Sequence, residues 1–260
     1  MRDWPPPRSA IAAVFNARAR FYDESPLHQF LARRTLEEAD LVPGMTILDL
    51  ASGSGLAIRG AAARLNGDGL FVAVDVAETL LQAARAHAYP VIGDSAHLPF
   101  KDKIFDLVLC VAGFAYFSDP SHVLQDIARI LRPDGTLVFQ IFAAGENSLH
   151  RQFRASAATV GLTLTDPDDA LGSEEKCLAM LEASGFASAH IVSETWRENL
   201  PRAEEFWSGI LPLYTPFFMT LTGAMLQSWR KDFLTASSLA RRNGDGMERR
   251  TIFFVKASLR

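Results

Sequence analysis

Short apolar runs alternate along this chain with longer stretches in which apolar positions recur every three or four residues. The first run is Ile47-Leu48-Asp49-Leu50. Leu70 to Val74, Tyr89 to Gly93, Phe105 to Val111 and Thr136 to Phe142 follow it. Phe105 to Val111 is nearly unbroken in apolar character, as expected of a strand covered on both faces. The spaced stretches read as helices over Ile11 to Tyr22, Leu27 to Asp40, Gly55 to Leu65 and Glu78 to His87. Asp119-Pro120 opens another, whose Val123, Leu124, Ile127, Ile130 and Leu131 make one stripe. Pro43-Gly44, Asn66-Gly67 and Arg132-Pro133-Asp134-Gly135 punctuate the pattern as turns. Five strands alternating with helices predict an α/β fold, a doubly wound parallel sheet. Right-handed crossovers then place a ligand crevice at the carboxyl ends of its strands, where Asp49, Asp75, Asp94 and Val111 fall.

Beyond the fifth strand, Asn147 to Val160 reads as helical, and Ser173-Glu174-Glu175-Lys176 opens a further helix by capping-box logic. Gly185-Phe186 ends that helix and starts a sixth strand, to about Ser193. Pro201 to Ala240 is helical and rich in aromatics, and Arg249 to Ala257 is the last strand.

Chemistry enters at Asp49-Leu50-Ala51-Ser52-Gly53-Ser54-Gly55. Gly53 and Gly55 lack the Cβ atoms that would hold a ligand away from the backbone, and the helix after them offers unpaired N–H groups. The same small residues would also suit an ordinary strand-to-helix turn. Asp75 lies twenty positions after Gly55, the spacing at which a nucleotide-binding βαβ unit sets a carboxylate on ribose hydroxyls. A dinucleotide would want a third glycine near Ile58, so the loop suits an adenosine without a pyrophosphate.

This stretch resembles the first motif of class I S-adenosylmethionine-dependent methyltransferases, in the group similar to the ubiquinone/menaquinone-biosynthesis C-methyltransferases. That motif is roughly D-x-G-x-G-x-G, and Ala51 stands here for its first glycine. The resemblance implies a Rossmann-like seven-stranded sheet whose last strand returns antiparallel between the fifth and sixth. It implies an N-terminal helical lid over 1–42, a core over 43–195 and 247–260, and a helical cap over 196–246. S-adenosylmethionine is the implied cofactor and S-adenosylhomocysteine its product. Tyr22 would lie near the methionine end, or else pin the lid to the core. Asp75 would take the ribose or cap a helix, with Val76 against one face of adenine. Asp94 would read the adenine amino group and the Ser95 N–H a ring nitrogen, unless Asp94 only shapes a turn. Asp49 would organise the glycine loop and offset the sulfonium charge.

Val111-Ala112-Gly113-Phe114 lacks the polar segment with which enzymes acting on nucleobases or amide nitrogens hold a planar nitrogen. The resembled group usually has a polar residue at Val111 and histidines at Ala115 and Tyr116, so the acceptor is left open. Methyl transfer is an in-line displacement in which positioning supplies ~7–11 kcal/mol, so a base is optional. His150 and His28 are the candidates for one, whereas His87, His97, His122 and His190 read as structural. The aromatics from Phe206 to Phe233 form either a satellite core or a cap over an apolar acceptor pocket. In the second case Phe114, Tyr116, Trp207 and Phe217 would line that pocket.

Hydrophobic content of 48% with 22% charged residues is ordinary for a globular chain, and a net charge of −4 gives no general pull toward nucleic acid or anionic membranes. Cys110 and Cys177 have no metal-ligand spacing, so no metal is expected and a reducing cytoplasm is. The N-terminus lacks a signal-like apolar run, and Ile210 to Met225, broken by Pro212 and Pro216, makes a poor membrane span. The expectation is therefore a cytoplasmic methyltransferase of a small, partly hydrophobic metabolite, with a homodimer left open. Alternatives on the same fold are non-methylating chemistry such as cyclisation or decarboxylation, and a non-catalytic binder. A nicotinamide-dependent reductase is disfavoured by Ile58.

Overall fold

A computed structural model describes residues 5–215, 221–244 and 246–259. Helices α1 (Arg8–Arg18) and α2 (Pro26–Glu38) precede β1 (Thr46–Leu50). Then come α3 (Leu56–Arg64), β2 (Leu70–Asp75), α4 (Glu78–Leu81), β3 (Tyr89–Ile92) and β4 (Phe105–Cys110). These are followed by α5 (Pro120–Ile130), β5 (Leu131–Phe142), α6 (Ser148–Ala157), α7 (Glu174–Ala183) and β6 (Phe186–Asn199). Helices α8 (Ala203–Tyr214) and α9 (Gly223–Asn243) separate β6 from β7 (Met247–Leu259).

Among the described residues seven strands form one sheet in the order β3-β2-β1-β4-β5-β7-β6. The first five run parallel, and β7 lies antiparallel between β5 and β6. The Rossmann-like fold with a reversed last strand is thus the fold of the chain. Strand β1 is buried from Ile47 to Leu50 because a helix layer covers each face. On one face Ala57, Ile58 and Ala61 of α3 pack with Leu36 of α2. On the other, the stripe of α5 packs with Cys177 and Leu181 of α7. A third cluster joins Ile11 and Val14 of α1 to Phe153 of α6 and to Trp207, Trp229 and Phe233 of α8 and α9.

Local chemistry sets most helix starts. Asp119 accepts from the His122 N–H ahead of α5, and Asn147 accepts from the His150 N–H ahead of α6. Ser173 caps α7 in the same way, but Lys176 at the third helical position cannot return the bond as a capping-box glutamate would. It pairs with Asp169 at 2.7 Å instead. Three boundaries differ from expectation. Helix α4 stops at Leu81 and tightens into a 3-10 turn over Gln82–Ala86, where Ala84 packs beneath Gly55. The Arg132–Gly135 turn is absorbed into β5 as an irregularity between the Phe105–Leu131 and Leu107–Thr136 pairs. Strand β6 continues well past Ser193, to Asn199, because β7 pairs with it as far as Met247. Its residues alternate between the covered and open faces, and such a strand lacks a solid apolar run.

Candidate functional site

The loop after β1 is built on left-handed backbone. Ala51, Gly53 and Gly55 have φ of 53°, 57° and 80°. The first is strained, since a side chain in this region costs ~1–2 kcal/mol relative to the right-handed one. Ala112 after β4 repeats the strain at φ 56°, so both alanines hold sparsely populated backbone at neighbouring strand tips. Between them Gly113 is needed for space. A methyl group there would come within 2.7 Å of Cys110 Sγ and 2.9 Å of the Ala51 methyl.

Asp75 holds this loop in shape. Its Oδ2 accepts the Gly53 N–H at 2.8 Å and its Oδ1 accepts the Ala77 N–H at 2.7 Å. Asp75 does not cap α4, whose Thr79 and Leu80 N–H groups go to Asn16; it bonds the residue before that helix, and each of its oxygens has a second lone pair. Burial raises its pKa against the lowering effect of those N–H groups. Asp49 lies one layer deeper. It is 1% exposed, with Oδ2 accepting the Ile58 N–H at 3.2 Å and Oδ1 unpartnered. Burial, with Asp75 adding to it, pushes its carboxyl up to about 7.

These tips open on a cleft of about 600 Å³. Ala51, Gly53, Asp75 and Val76 line one side of it, and Asp94, Ser95 and Val111 continue that wall. Tyr22, after α1, closes it on the opposite side, its ring 3.4 Å from where a Gly53 Cβ would stand. Burial first, then Tyr116 and the carboxylates, raises the Tyr22 hydroxyl, which stays protonated at neutral pH. Asp94 turns one oxygen to the Ala96 N–H at 3.2 Å and the other to Arg8 of α1 at 2.8 Å. Two of the expected residues are not on the cleft wall. Gly55 serves packing, since a Cβ on it would come within 2.7 Å of the Ala84 methyl. Asp49 is shielded by the loop it organises.

A second cleft of about 880 Å³ adjoins the first, and Ala112 and Tyr116 line both. Leu27, His28 and Leu31 of α2 cover it, Gln140 to Ala143 form its floor, and Phe114, His150 and Arg250 contribute to its wall. His28 stacks on Tyr22 with centroids 4.2 Å apart, its Nδ1 3.3 Å from the Tyr22 carbonyl. A carbonyl only accepts, so Nδ1 carries the proton and Nε2 the lone pair. Burial lowers the pKa of His28. Burial, with Arg154 and Arg250, pushes His150 down to about 3, which leaves a neutral imidazole and a weak proton acceptor.

Trp207 corrects an expectation: it lines neither cleft. It is 4% exposed and packs on Phe153, Trp229 and Phe233, with centroids 5.1 Å from Trp229. Trp207, Trp229 and Phe233 follow the satellite-core reading, because α1 and α6 supply the partners that bury them, whereas Phe206 lines a cavity of about 920 Å³ with Tyr116 and His150. Phe217 lies outside the described residues. The sequence reading missed Arg8, Phe15 and Gly113 in the first cleft and Gln140, Asp168 and Arg250 in the second. Gln140 alone carried a signal, as the polar position inside Leu137 to Phe142.

The comparisons with known proteins agree with this geometry. A methyltransferase-domain profile matches residues 48–139, which hold the loop, the β2 tip and the β4 tip. Demethylmenaquinone methyltransferase of Mycolicibacterium vanbaalenii is 30% identical over 218 residues, covering 78% of this chain and 92% of that enzyme. The ubiquinone/menaquinone biosynthesis C-methyltransferase of Laribacter hongkongensis is 32% identical over 146 residues, 51% of this chain and 60% of that one. The solved structure of the YcgJ protein of Bacillus subtilis superposes with a TM-score of 0.60 at 17% identity, over 90% of this chain and 99% of that one. The fold, the matched motifs and the similarity over nearly the whole of the Mycolicibacterium enzyme lead to one assignment: the chain belongs to the class I S-adenosylmethionine-dependent methyltransferases, in the group of the ubiquinone/menaquinone-biosynthesis C-methyltransferases.

Proposed function

We propose that the first cleft takes S-adenosylmethionine, that the second takes a small, partly hydrophobic acceptor, and that the two meet at Tyr116. The observation that carries this reading is the adjacency of the two clefts at the carboxyl ends of β1, β2, β4 and β5, sharing Ala112 and Tyr116.

The residues of the first cleft fit the cofactor. Carboxylates at Asp75 and Asp94 suit the hydroxyls and the amino group of an adenosine, and Val76 and Leu80 offer apolar contact to its ring. Gly53 leaves open the space that a side chain would take beside Tyr22. Asp49 stands behind the loop with Oδ1 unpartnered and its carboxyl raised to about 7, where a nearby positive charge would favour its ionised form. When bound, the cofactor supplies a methyl group on a positively charged sulfur, open to in-line displacement.

The protein's part is then to bind, orient and exclude water. Phe15 packs edge-on against Tyr116 at 5.3 Å, so helix α1 closes over the place where the clefts join. If the acceptor must lose a proton, His28 Nε2 is the better placed acceptor, since His150 is too weak a base. A second cleft that mixes apolar walls with several polar groups, and a net charge of −4, favour a metabolite over nucleic acid. Among the described residues no helix is long and apolar enough to cross a membrane.

The test is thermal unfolding with S-adenosylhomocysteine and with NAD. A ligand at a hundredfold over its dissociation constant adds ~2.7 kcal/mol, which at about 2–4 °C per kcal/mol is a shift of several degrees. The expected result is that shift with S-adenosylhomocysteine, none with NAD, and its loss in Asp75→Ala. Mass spectrometry of an acceptor panel should then show a product heavier by one methyl. A shift with NAD alone would overturn the reading.

A further inference from the structure

The second cleft contains a polar side chain that the fold leaves unanswered. Gln140 stands near the carboxyl end of β5 and is 1% exposed. Neither its amide nitrogen nor its amide oxygen has a hydrogen-bond partner. A buried polar group left without a partner is costly, whereas an apolar residue of similar size would carry no such penalty. Leu27, Leu31, Phe114 and Ile141 share the cleft with it, and so do polar groups such as His28, Asn147 and Asp168, none of which bonds to its amide. The same wall holds two more unpartnered atoms, His150 Nδ1 and Arg250 Nε.

The charge balance of the cleft narrows what could answer these groups. Arg250 already pairs with Glu198 at 2.5 Å, and Glu248 beside it accepts from the Ser148 N–H at 2.8 Å. The Arg250 charge is therefore already matched by Glu198, which weakens its pull on a phosphate and leaves only its Nε–H open. Asp168, the cleft's own carboxyl, is raised to about 7 by burial and by Asp166, while Arg250 and Arg154 face it and oppose a cationic ligand. His150 is neutral. The unmet demand is thus for neutral donors and acceptors, one of each at Gln140.

We propose that Gln140 is the specificity-determining residue for the acceptor, and that it docks an uncharged polar edge presenting a hydroxyl next to a carbonyl. This rests on the second cleft being the acceptor site. The amide N–H takes the carbonyl, and the amide oxygen takes the hydroxyl. Phosphorylated and amine-headed metabolites are disfavoured by the same arrangement, because the cleft has no spare charge for them.

The test uses the whole chain saturated with S-adenosylhomocysteine and three probes followed by saturation-transfer NMR: 2-hydroxyacetophenone, phosphoethanolamine and phenethylamine. Gln140→Met and Gln140→Glu are compared with the wild type. The expected result is saturable binding of the hydroxyketone alone, weakened at least about tenfold in Gln140→Met. The S-adenosylhomocysteine affinity of both variants stays at the wild-type value, since Gln140 lines only the second cleft. The melting temperature of ligand-free Gln140→Met stays level or rises, because the substitution removes two unsatisfied atoms. Failure of the wild type to bind S-adenosylhomocysteine would sink the cofactor-site reading instead. With that binding intact, the inference is overturned if the hydroxyketone does not bind, if either charged probe binds more tightly, if Gln140→Met binds the hydroxyketone unchanged, or if Gln140→Met melts earlier than the wild type.

Discussion

The Asp75 carboxylate accepts the Gly53 N–H at 2.8 Å, so the tip of β2 fixes the loop after β1 in the shape that faces the cleft. Its second oxygen accepts the Ala77 N–H, which ties the same carboxylate to the start of α4. A single side chain thereby holds two segments while lining the first cleft.

Asp75→Asn separates these functions. The amide keeps one acceptor oxygen but sets an NH2 against one of the two backbone N–H groups, at a cost of ~1–3 kcal/mol. The variant should melt a few degrees lower, and its affinity for S-adenosylhomocysteine should fall by about 10- to 100-fold, more than the lost stability alone explains. Calorimetric titration alongside thermal melts measures both. A lower melting temperature with wild-type affinity would confine Asp75 to loop shaping.

Ala51 is the converse case, a residue whose backbone the loop constrains against its preference. At φ 53° an alanine is strained where glycine is not. Ala51→Gly should therefore stabilise the protein, or at worst leave it unchanged, with a gain up to ~1 kcal/mol after the extra entropy of an unfolded glycine is subtracted. That is a rise of about 2–4 °C for a chain of this size. A clear fall would show that the contact of the Ala51 methyl with the Gly113 turn outweighs the backbone strain.

Asp49 makes stability depend on pH. Its folded-state pKa of about 7 lies above the ordinary carboxylate value, so the folded state binds the proton more tightly than the unfolded chain does. The favourable contribution is full below about pH 4 and is lost as pH rises toward and through 7. The difference of about three pKa units corresponds to up to ~4 kcal/mol. Denaturant unfolding of the wild type minus that of Asp49→Asn should fall along this window and level off above it, and taking the difference cancels the similar titration of Asp168. A flat difference curve from pH 5 to 8 would mean that Asp49 does not titrate there.

Trp207 distinguishes core from pocket. It lies among Phe153, Trp229 and Phe233, and Trp229 Nε1 donates to the Phe153 carbonyl at 3.2 Å and to Ser156 Oγ at 3.1 Å. Trp207→Ala should cost ~3–5 kcal/mol of stability through the cavity it leaves. Measured well below its melting temperature, the variant should bind S-adenosylhomocysteine as the wild type does. Unchanged stability would return Trp207 to the acceptor pocket.

The parallel half of this fold was readable because its strands are buried on both faces and leave solid apolar runs, and because turns and caps mark their ends. The positions of Asp75 and Asp94 were readable for the same reason: Asp75 closes β2 and Asp94 follows β3 by two residues, and both line the first cleft. What escaped were contacts created by distant pairing. Arg250 reaches the second cleft only because β7 inserts beside β5, and Trp207 is core only because α1 and α6 return to cover it. Neither residue has neighbours in sequence that announce this. Gly55 shows a subtler limit, since a motif glycine can be required by a helix packing behind the loop, here at Ala84, as well as by a ligand in front.

Arg8 offers the last test, of whether α1 gates the first cleft. It reaches from α1 to Asp94 at 2.8 Å, while Asn16 of the same helix accepts the Thr79 and Leu80 N–H groups of α4 at 2.9 and 3.3 Å. The guanidinium is two-thirds exposed, so the ion pair adds little to folding, ~0–1 kcal/mol at most. Arg8→Ala should therefore melt within about 2 °C of the wild type. Its effect should fall on kinetics, because a helix held over the cleft at one point fewer moves away more often. Stopped-flow release of S-adenosylhomocysteine should speed up several-fold, with a smaller change in the association rate. Asn16→Ala should act in the same direction and more strongly, since it also uncaps α4. If both variants release the ligand at the wild-type rate, α1 does not gate the cleft, and its contacts with Asp94 and α4 serve folding alone.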